Sequence, residues 1–203
     1  MEVTEALRRR RMTRSFDGTE LDEDRLAAMC EEALRAPTAG HARGVEAVVL
    51  AGTVGVSRYL EAATDEHWRA TSPRSRGLAA AGGAVVVLCD PERYATRYAE
   101  ADKAPSGLDS PAKWPVPYWY GDAGAFCMAL LVLAEDAGLA ACFLGAFRRR
   151  DEVLGMLDAP RGRELYGAVL LGVASAQQRR SASLERPGPS RAERVVRGGF
   201  PRT

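Results

Sequence analysis

Histidine is almost missing from this sequence. His41 and His67 are the only two in 203 residues, which excludes a histidine-rich metal centre. Cysteine is scarce as well. Cys30, Cys89, Cys127 and Cys142 form no CxxC pair, and three of them sit inside apolar runs, where a thiol behaves as a small hydrophobe. That pattern predicts reduced thiols rather than a disulfide framework. Neither charge sign is in excess: 28 basic residues face 27 acidic ones, so the net charge is +1. A dedicated nucleic-acid binder carries a clear basic surplus, and this chain does not. Long apolar runs are absent too. The longest, residues 123–134, falls short of the roughly 20 residues that a membrane span needs. The N-terminus is charged, with no apolar stretch behind it that would make a secretory signal. These absences predict a soluble cytoplasmic protein with no membrane or nucleic-acid partner. No GxSxG elbow, Walker A loop or GxGxxG turn is present. An enzyme built on this chain would therefore rely on a cofactor that brings its own chemistry.

What the sequence does have is arginine. Lysine occurs only at 103 and 113, and a run of four arginines at 8–11 is followed by Arg14. Arginine presents a planar fork of donors suited to phosphate and carboxylate. Arg8 and Arg9 read as one solvated face of a short helix over residues 2–11. A second helix is predicted over 21–36, with Asp22 as its cap, acids in its first turn and Pro37 ending it. Residues 45–52 and 82–90 read as strands, the latter by its β-branched run. Residues 54–70 and 91–103 read as helices, and 104–121 as a long loop with four prolines and several large aromatics. Residues 122–137 form a helix apolar on nearly every face, closed by Gly138. Such a helix has to be central or buried between subunits. Strands follow at 141–147 and 164–175, with a short helix between them. The chain length and this order predict one α+β domain over 1–175, with an arginine-rich arm of the same domain at 176–203.

Three segments in order resemble the FMN-dependent nitroreductase family: "RRMTRSF" at 10–16, "APTAGHARGVEAVVL" at 36–50 and "DAGAFCMALLVLAEDAGLAACFLGAF" at 122–147. "KWPVPYWYGDAG" at 113–124 is similar to the actinobacterial-type branch. The resemblance implies a nitroreductase-like fold: a central mixed, mainly antiparallel sheet flanked by helices, in an intertwined homodimer with FMN at the interface. It implies that Arg10 and Arg11 reach the ribityl phosphate, that Met12 stands where the family has a serine, and that Arg14 lies beside the pyrimidine edge of the flavin. Pro37, Thr38, Ala39 and His41 correspond to a loop that the second subunit lays over the flavin. His41 replaces an asparagine there and Arg43 a glutamine, so Arg43 is expected at the substrate. Leu144 and Gly145 correspond to the strand end facing the hydride-accepting nitrogen. Arg197 corresponds to a C-terminal arginine that closes on the phosphate, although the family's second basic residue is Gly199 here. Trp114, Tyr118 and Trp119 are expected as substrate contacts, since aromatic faces stack on flat molecules.

The activity implied is ping-pong hydride transfer through FMN, from NADH or NADPH to a small acceptor such as a nitroaromatic, quinone or enone, with no catalytic side chain required. Two other activities fit the same residues. One is a biosynthetic flavin-dependent dehydrogenase or oxidase acting on a specialised metabolite, the other a flavin-binding protein without turnover of its own. The substitutions at His41 and Arg43 predict a preference for anionic partners and a pH-dependent turnover.

Overall fold

The structure, a computed structural model, describes residues 1–178 and 181–200. Helix α1 spans Val3–Arg9 and α2 spans Glu23–Ala33. Strand β1 covers Val45–Ala51 and leads into α3 (Gly52–Ala63), α4 (Glu66–Thr71) and α5 (Ser75–Ala79). Strand β2 covers Gly83–Cys89, followed by α6 at Pro91–Ala99 and α7 at Tyr118–Asp136. Strand β3 (Ala140–Gly145), α8 (Arg150–Met156) and β4 (Glu164–Gly172) complete the fold. No helix among the described residues is long and apolar enough to cross a membrane.

The four strands pair in the order β1-β2-β4-β3, every pair antiparallel. The parallel component is a single bridge, Met12 to Ala141, which lays the N-terminal segment along the outer edge of β3. Strand β2 is central and buried at every residue, which explains its unbroken apolar run. Its side chains alternate between two cores. Val85, Val87 and Cys89 pack with α2 and α7; Ala84, Val86 and Leu88 pack with α3, α5 and α8. The result is a helix–sheet–helix sandwich with α7 covering one face. Along α7, Phe126 and Leu130 are fully buried, each contributing about 1.5–3 kcal/mol by leaving water.

Local chemistry explains most boundaries. Asp22 Oδ1 accepts the Arg25 N–H at 3.0 Å and starts α2. The helix expected over 54–70 is two helices, because Asp65 accepts the Trp68 N–H at 2.7 Å and caps a new one. Helix α7 begins at Tyr118, inside the stretch expected as loop, because Pro117 supplies its N-cap and Trp119 turns into the core. Arg9 is not merely solvated. It pairs with Glu5 and with Glu135 at the end of α7, fastening α1 to that helix.

One end of the sheet is held by charge. Arg163 makes two hydrogen bonds to Glu46, at 2.6 and 3.0 Å, and reaches Asp90 at 2.8 Å, while Arg93 bridges the same two carboxylates. These residues stand at the start of β1, the end of β2 and the approach to β4, so the network joins three strands.

Burial drives the thiols upward: Cys30 to about 11, and Cys89 and Cys127 to about 12. Burial likewise pushes the Tyr59 phenol to about 12. Each is bound as the neutral form in the folded state. Above the ordinary thiol value of about 8.5 the unfolded chain releases protons that the folded chain keeps. The stability these groups contribute is therefore complete below about pH 8.5 and is lost as the pH climbs toward their folded values. Denaturant unfolding followed from pH 8 to 11 is expected to show stability falling, by up to about 1.4 kcal/mol per pH unit for each buried thiol. A flat profile would contradict the burial of these groups.

Candidate functional site

The arginine run divides by geometry. Arg8 is exposed. Arg11 turns back and caps α1, its Nη1 donating to the carbonyls of Arg8, Arg9 and Arg10 at 2.6–2.9 Å. Arg10 points inward: its Nε is buried and has no acceptor. A buried charged donor without a partner is costly. After Arg10 the chain is held against β3. Thr13 N–H donates to Ala141 O at 2.9 Å, and the Met12 sulfur accepts the Phe143 N–H at 3.4 Å. Leu144 and Gly145 continue β3 beyond that contact. The Phe147 ring folds back on Gly145, so close that an added Cβ would lie 2.8 Å from it, yet Phe147 is itself 91% exposed.

Arg14 opens a cleft of about 1010 Å³ between the N-terminal segment, the start of α5 and the chain leaving β4. Arg74 and Arg76 line it with Arg14, against one carboxylate, Asp17, whose Oδ1 accepts the Thr19 N–H. The cleft wall is closely fitted. Gly77 lies against the Arg14 carbonyl, where an added Cβ would sit 2.4 Å from the oxygen, and Gly77 O accepts the Phe16 N–H at 3.2 Å. Ser15 and Ser175 share a hydrogen bond at 2.7 Å, and Arg14 N–H donates to Gln178 Oε1 at 3.0 Å. The start of the expected arm thus packs onto the arginine segment. Arg197 is exposed further along, and among the described residues nothing ties it to the cleft. Arg179, Arg180 and Arg202 of the expected arm lie outside the described residues.

Arg74 and Arg76 were not singled out by sequence. Their only local signal is "SPRSRG" at 72–77, a turn-forming stretch with two arginines, and it gains meaning only when Gly77 meets Arg14.

The second group of expected residues forms a separate loop held by hydrogen bonds. Thr38 Oγ1 accepts the Arg43 N–H at 3.1 Å, and Ala39 N–H donates to Asp122 Oδ2 at 2.8 Å. Tyr94 O–H donates to the same oxygen at 2.7 Å. Burial first, and then this bond, raise the Tyr94 phenol far above its ordinary value. Arg97 Nε donates to Gly40 O at 2.9 Å while Asp102 accepts twice from Arg97, at 2.7 Å each. Gly40 (φ 58°) rests on the Tyr98 ring, where a side chain would collide. Pro37 and His41 are exposed, and Arg43 donates to His41 Nε2, so these two side chains engage each other at the loop tip.

Of the aromatic residues expected at substrate, Tyr118 is exposed. Trp114 and Trp119 are buried at 8% and 6% exposure in a cluster with Tyr94 and Tyr98. Their indole donors are engaged, Trp114 with Leu108 O at 3.0 Å and Trp119 with Glu164 at 2.9 Å. In this chain both are packing residues under the long loop.

The Thr38–Arg43 loop and the arginine segment are not brought together within one chain. The Thr38–Arg43 loop is fixed to Asp122 near the start of α7, and the arginine segment is fixed, through α1, to Glu135 at its end. At 1.5 Å per residue the two anchors are about 20 Å apart.

Comparison with known proteins follows this geometry. A family model described as "Nitroreductase family" matches residues 7–173. Comparison with curated proteins gives no match. Among solved structures, the chain is similar to nitroreductase CinD from Lactococcus lactis, a complex with nicotinic acid, at 19% identity and a TM-score of 0.74, covering 98% of this chain and 100% of that one. It is also similar to a nitroreductase family protein from Clostridium difficile 630, at 18% identity and a TM-score of 0.69, covering 98% and 100%. An FMN-dependent nitroreductase from Clostridium difficile R20291 aligns at 16% identity with a TM-score of 0.68, covering 96% and 98%.

Proposed function

The chain belongs to the nitroreductase family, and we propose that it is an FMN-dependent oxidoreductase. It takes reducing equivalents from NADH or NADPH and passes them to a small organic acceptor, working as a homodimer. The observation that carries this is the buried, acceptorless Nε of Arg10 at the head of a segment that leads to an arginine-lined cleft. Arg10 and Arg14 stand four residues apart on largely extended backbone, about 13 Å, which suits a ligand with an anionic tail and a flat head. Nicotinic acid, bound by the Lactococcus lactis protein, has the ring skeleton of the nicotinamide that the proposed donor carries.

In this reading Arg10 holds the phosphate by a charge-assisted bond. Arg14 and Arg74 set positive charge beside the flavin's pyrimidine edge, where it favours an electron-rich ring. Gly145 has no side chain, so at this end of β3 the backbone is covered by the exposed Phe147 ring instead. FMN, when bound, supplies hydride acceptance and donation, so the protein needs no strong acid or base of its own. The chain's part is to bind, orient and exclude water.

In the same reading α7 sets the geometry of the dimer. Two copies packed with antiparallel α7 helices place the loop of one beside the arginine segment of the other. The midpoint between the anchors is Met128, which is 36% exposed on an otherwise apolar helix. A two-fold axis there buries that face.

The test is the visible spectrum of the purified protein, with anaerobic addition of NADH and of NADPH. A flavin band, identified as FMN after denaturation and bleached by a donor, is the expected result. Colourless protein that fails to take up FMN overturns the proposal.

A further inference from the structure

Beside the arginine-lined cleft lies a second one of about 590 Å³, on the other side of the turn that joins α4 and α5. The two share Pro73 and Arg76 in their walls. The second cleft falls in the size range of small-molecule sites and contains a feature the first lacks, the partly exposed indole of Trp68. Its frame is fixed. Asp65 caps α4 at Trp68, and Arg69 donates to the carbonyls of Thr64 and Glu61, at 2.5 and 3.3 Å, so that Arg69 braces the wall. Ser75 Oγ likewise closes the turn onto Arg69 O and Ser72 O. Arg76, on the ridge between the clefts, is exposed and makes no ion pair among the described residues.

We propose that this second cleft seats the adenosine half of the dinucleotide donor, with its base against Trp68 and its diphosphate over Arg76. The arrangement mirrors the ligand: a flat head, a doubly charged link and a second flat head, against a cleft, a free guanidinium and a cleft with an indole. A guanidinium matches diphosphate oxygens in charge and shape, and an indole face takes any base. The inference rests on the flavoenzyme reading and specifies how its donor is held.

The experiment compares two donors on the FMN-loaded protein: the dinucleotide that reduces it, and N-benzyl dihydronicotinamide, which has the reducing ring without the adenosine. Trp68→Ala is expected to raise KM for the dinucleotide about tenfold, the loss of one base–aromatic stack, with kcat kept. The truncated donor should be unaffected, and Trp68→Phe should restore most of the affinity. Equal effects on both donors, or none on either, overturn the proposal. Calorimetry with ADP-ribose decides the cleft without any reduction. It should bind the wild type and lose affinity in Trp68→Ala, and absence of binding to the wild type overturns the assignment. Protein that neither donor reduces counts against the flavoenzyme reading, while ADP-ribose binding still reports on the cleft.

Discussion

Arg10→Ala is expected to weaken FMN binding by about 1.5–3 kcal/mol, the range for a hydrogen bond to a charged group. That corresponds to roughly a ten- to hundredfold rise in Kd. The reason is specific to this side chain. Arg10 Nε is already out of water and has nothing to bond to, so the free protein carries the cost of its desolvation before any ligand arrives. An anion placed there gains a strong bond without paying that cost again. The same logic separates binding from folding. Removing Arg10 also removes the orphaned donor, so the FMN-free protein should be no less stable, and only the loaded form should lose stability. Fluorescence titration of FMN into the free protein, with thermal unfolding of both forms, reads the two effects. Arg8→Ala, at an exposed position, is the control and should change neither. An FMN affinity indifferent to Arg10 removes that residue from the phosphate site.

Met128→Arg is expected to abolish the dimer and FMN retention together. On a two-fold axis the substitution puts two guanidinium groups face to face in an apolar interface, and an uncompensated buried charge costs several kcal/mol. Within the single chain Met128 is partly exposed, so an arginine there reaches water and the fold should survive. Light scattering should report a monomer, circular dichroism an unchanged helical content, and absorbance a colourless protein. A monomer that still holds FMN would separate the flavin site from the dimer. A persistent dimer would move the axis away from Met128.

Much of the fold was legible because its signals are local. Asp22 before an apolar-periodic stretch marks a helix start wherever it occurs, and the run around Val85–Val87 can only be a buried strand. The strand order is different in kind. Strand β2 lies beside β4, far along the chain, and nothing near either strand encodes that choice. The start of α7 differs from the expectation because Pro115, Pro117 and the adjacent aromatics carry loop signals, which burial of Trp119 overrides. For the site, residue type identified the arginine segment but not which arginines turn inward. Arg10 and Arg11 are neighbours with the same side chain; one has its Nε buried without a partner and the other caps α1. Trp114 and Trp119 read as contacts for a ligand because aromatic faces stack on flat molecules, whereas their burial is a tertiary property. Arg74 and Arg76 were missed for the converse reason: they became part of a cleft only through Gly77.

The length of α7 has a genetic consequence. Asp122 anchors the loop at one end and Glu135 the arginine segment at the other, so a single chain holds the two apart. In a dimer of the proposed kind, a lesion in the loop and a lesion at Arg10 damage different halves. When the two lesions are carried by different chains, the mixed dimer pairs both damaged halves in one site and leaves the other site whole. Two alleles that are each null alone would then complement one another within the same gene.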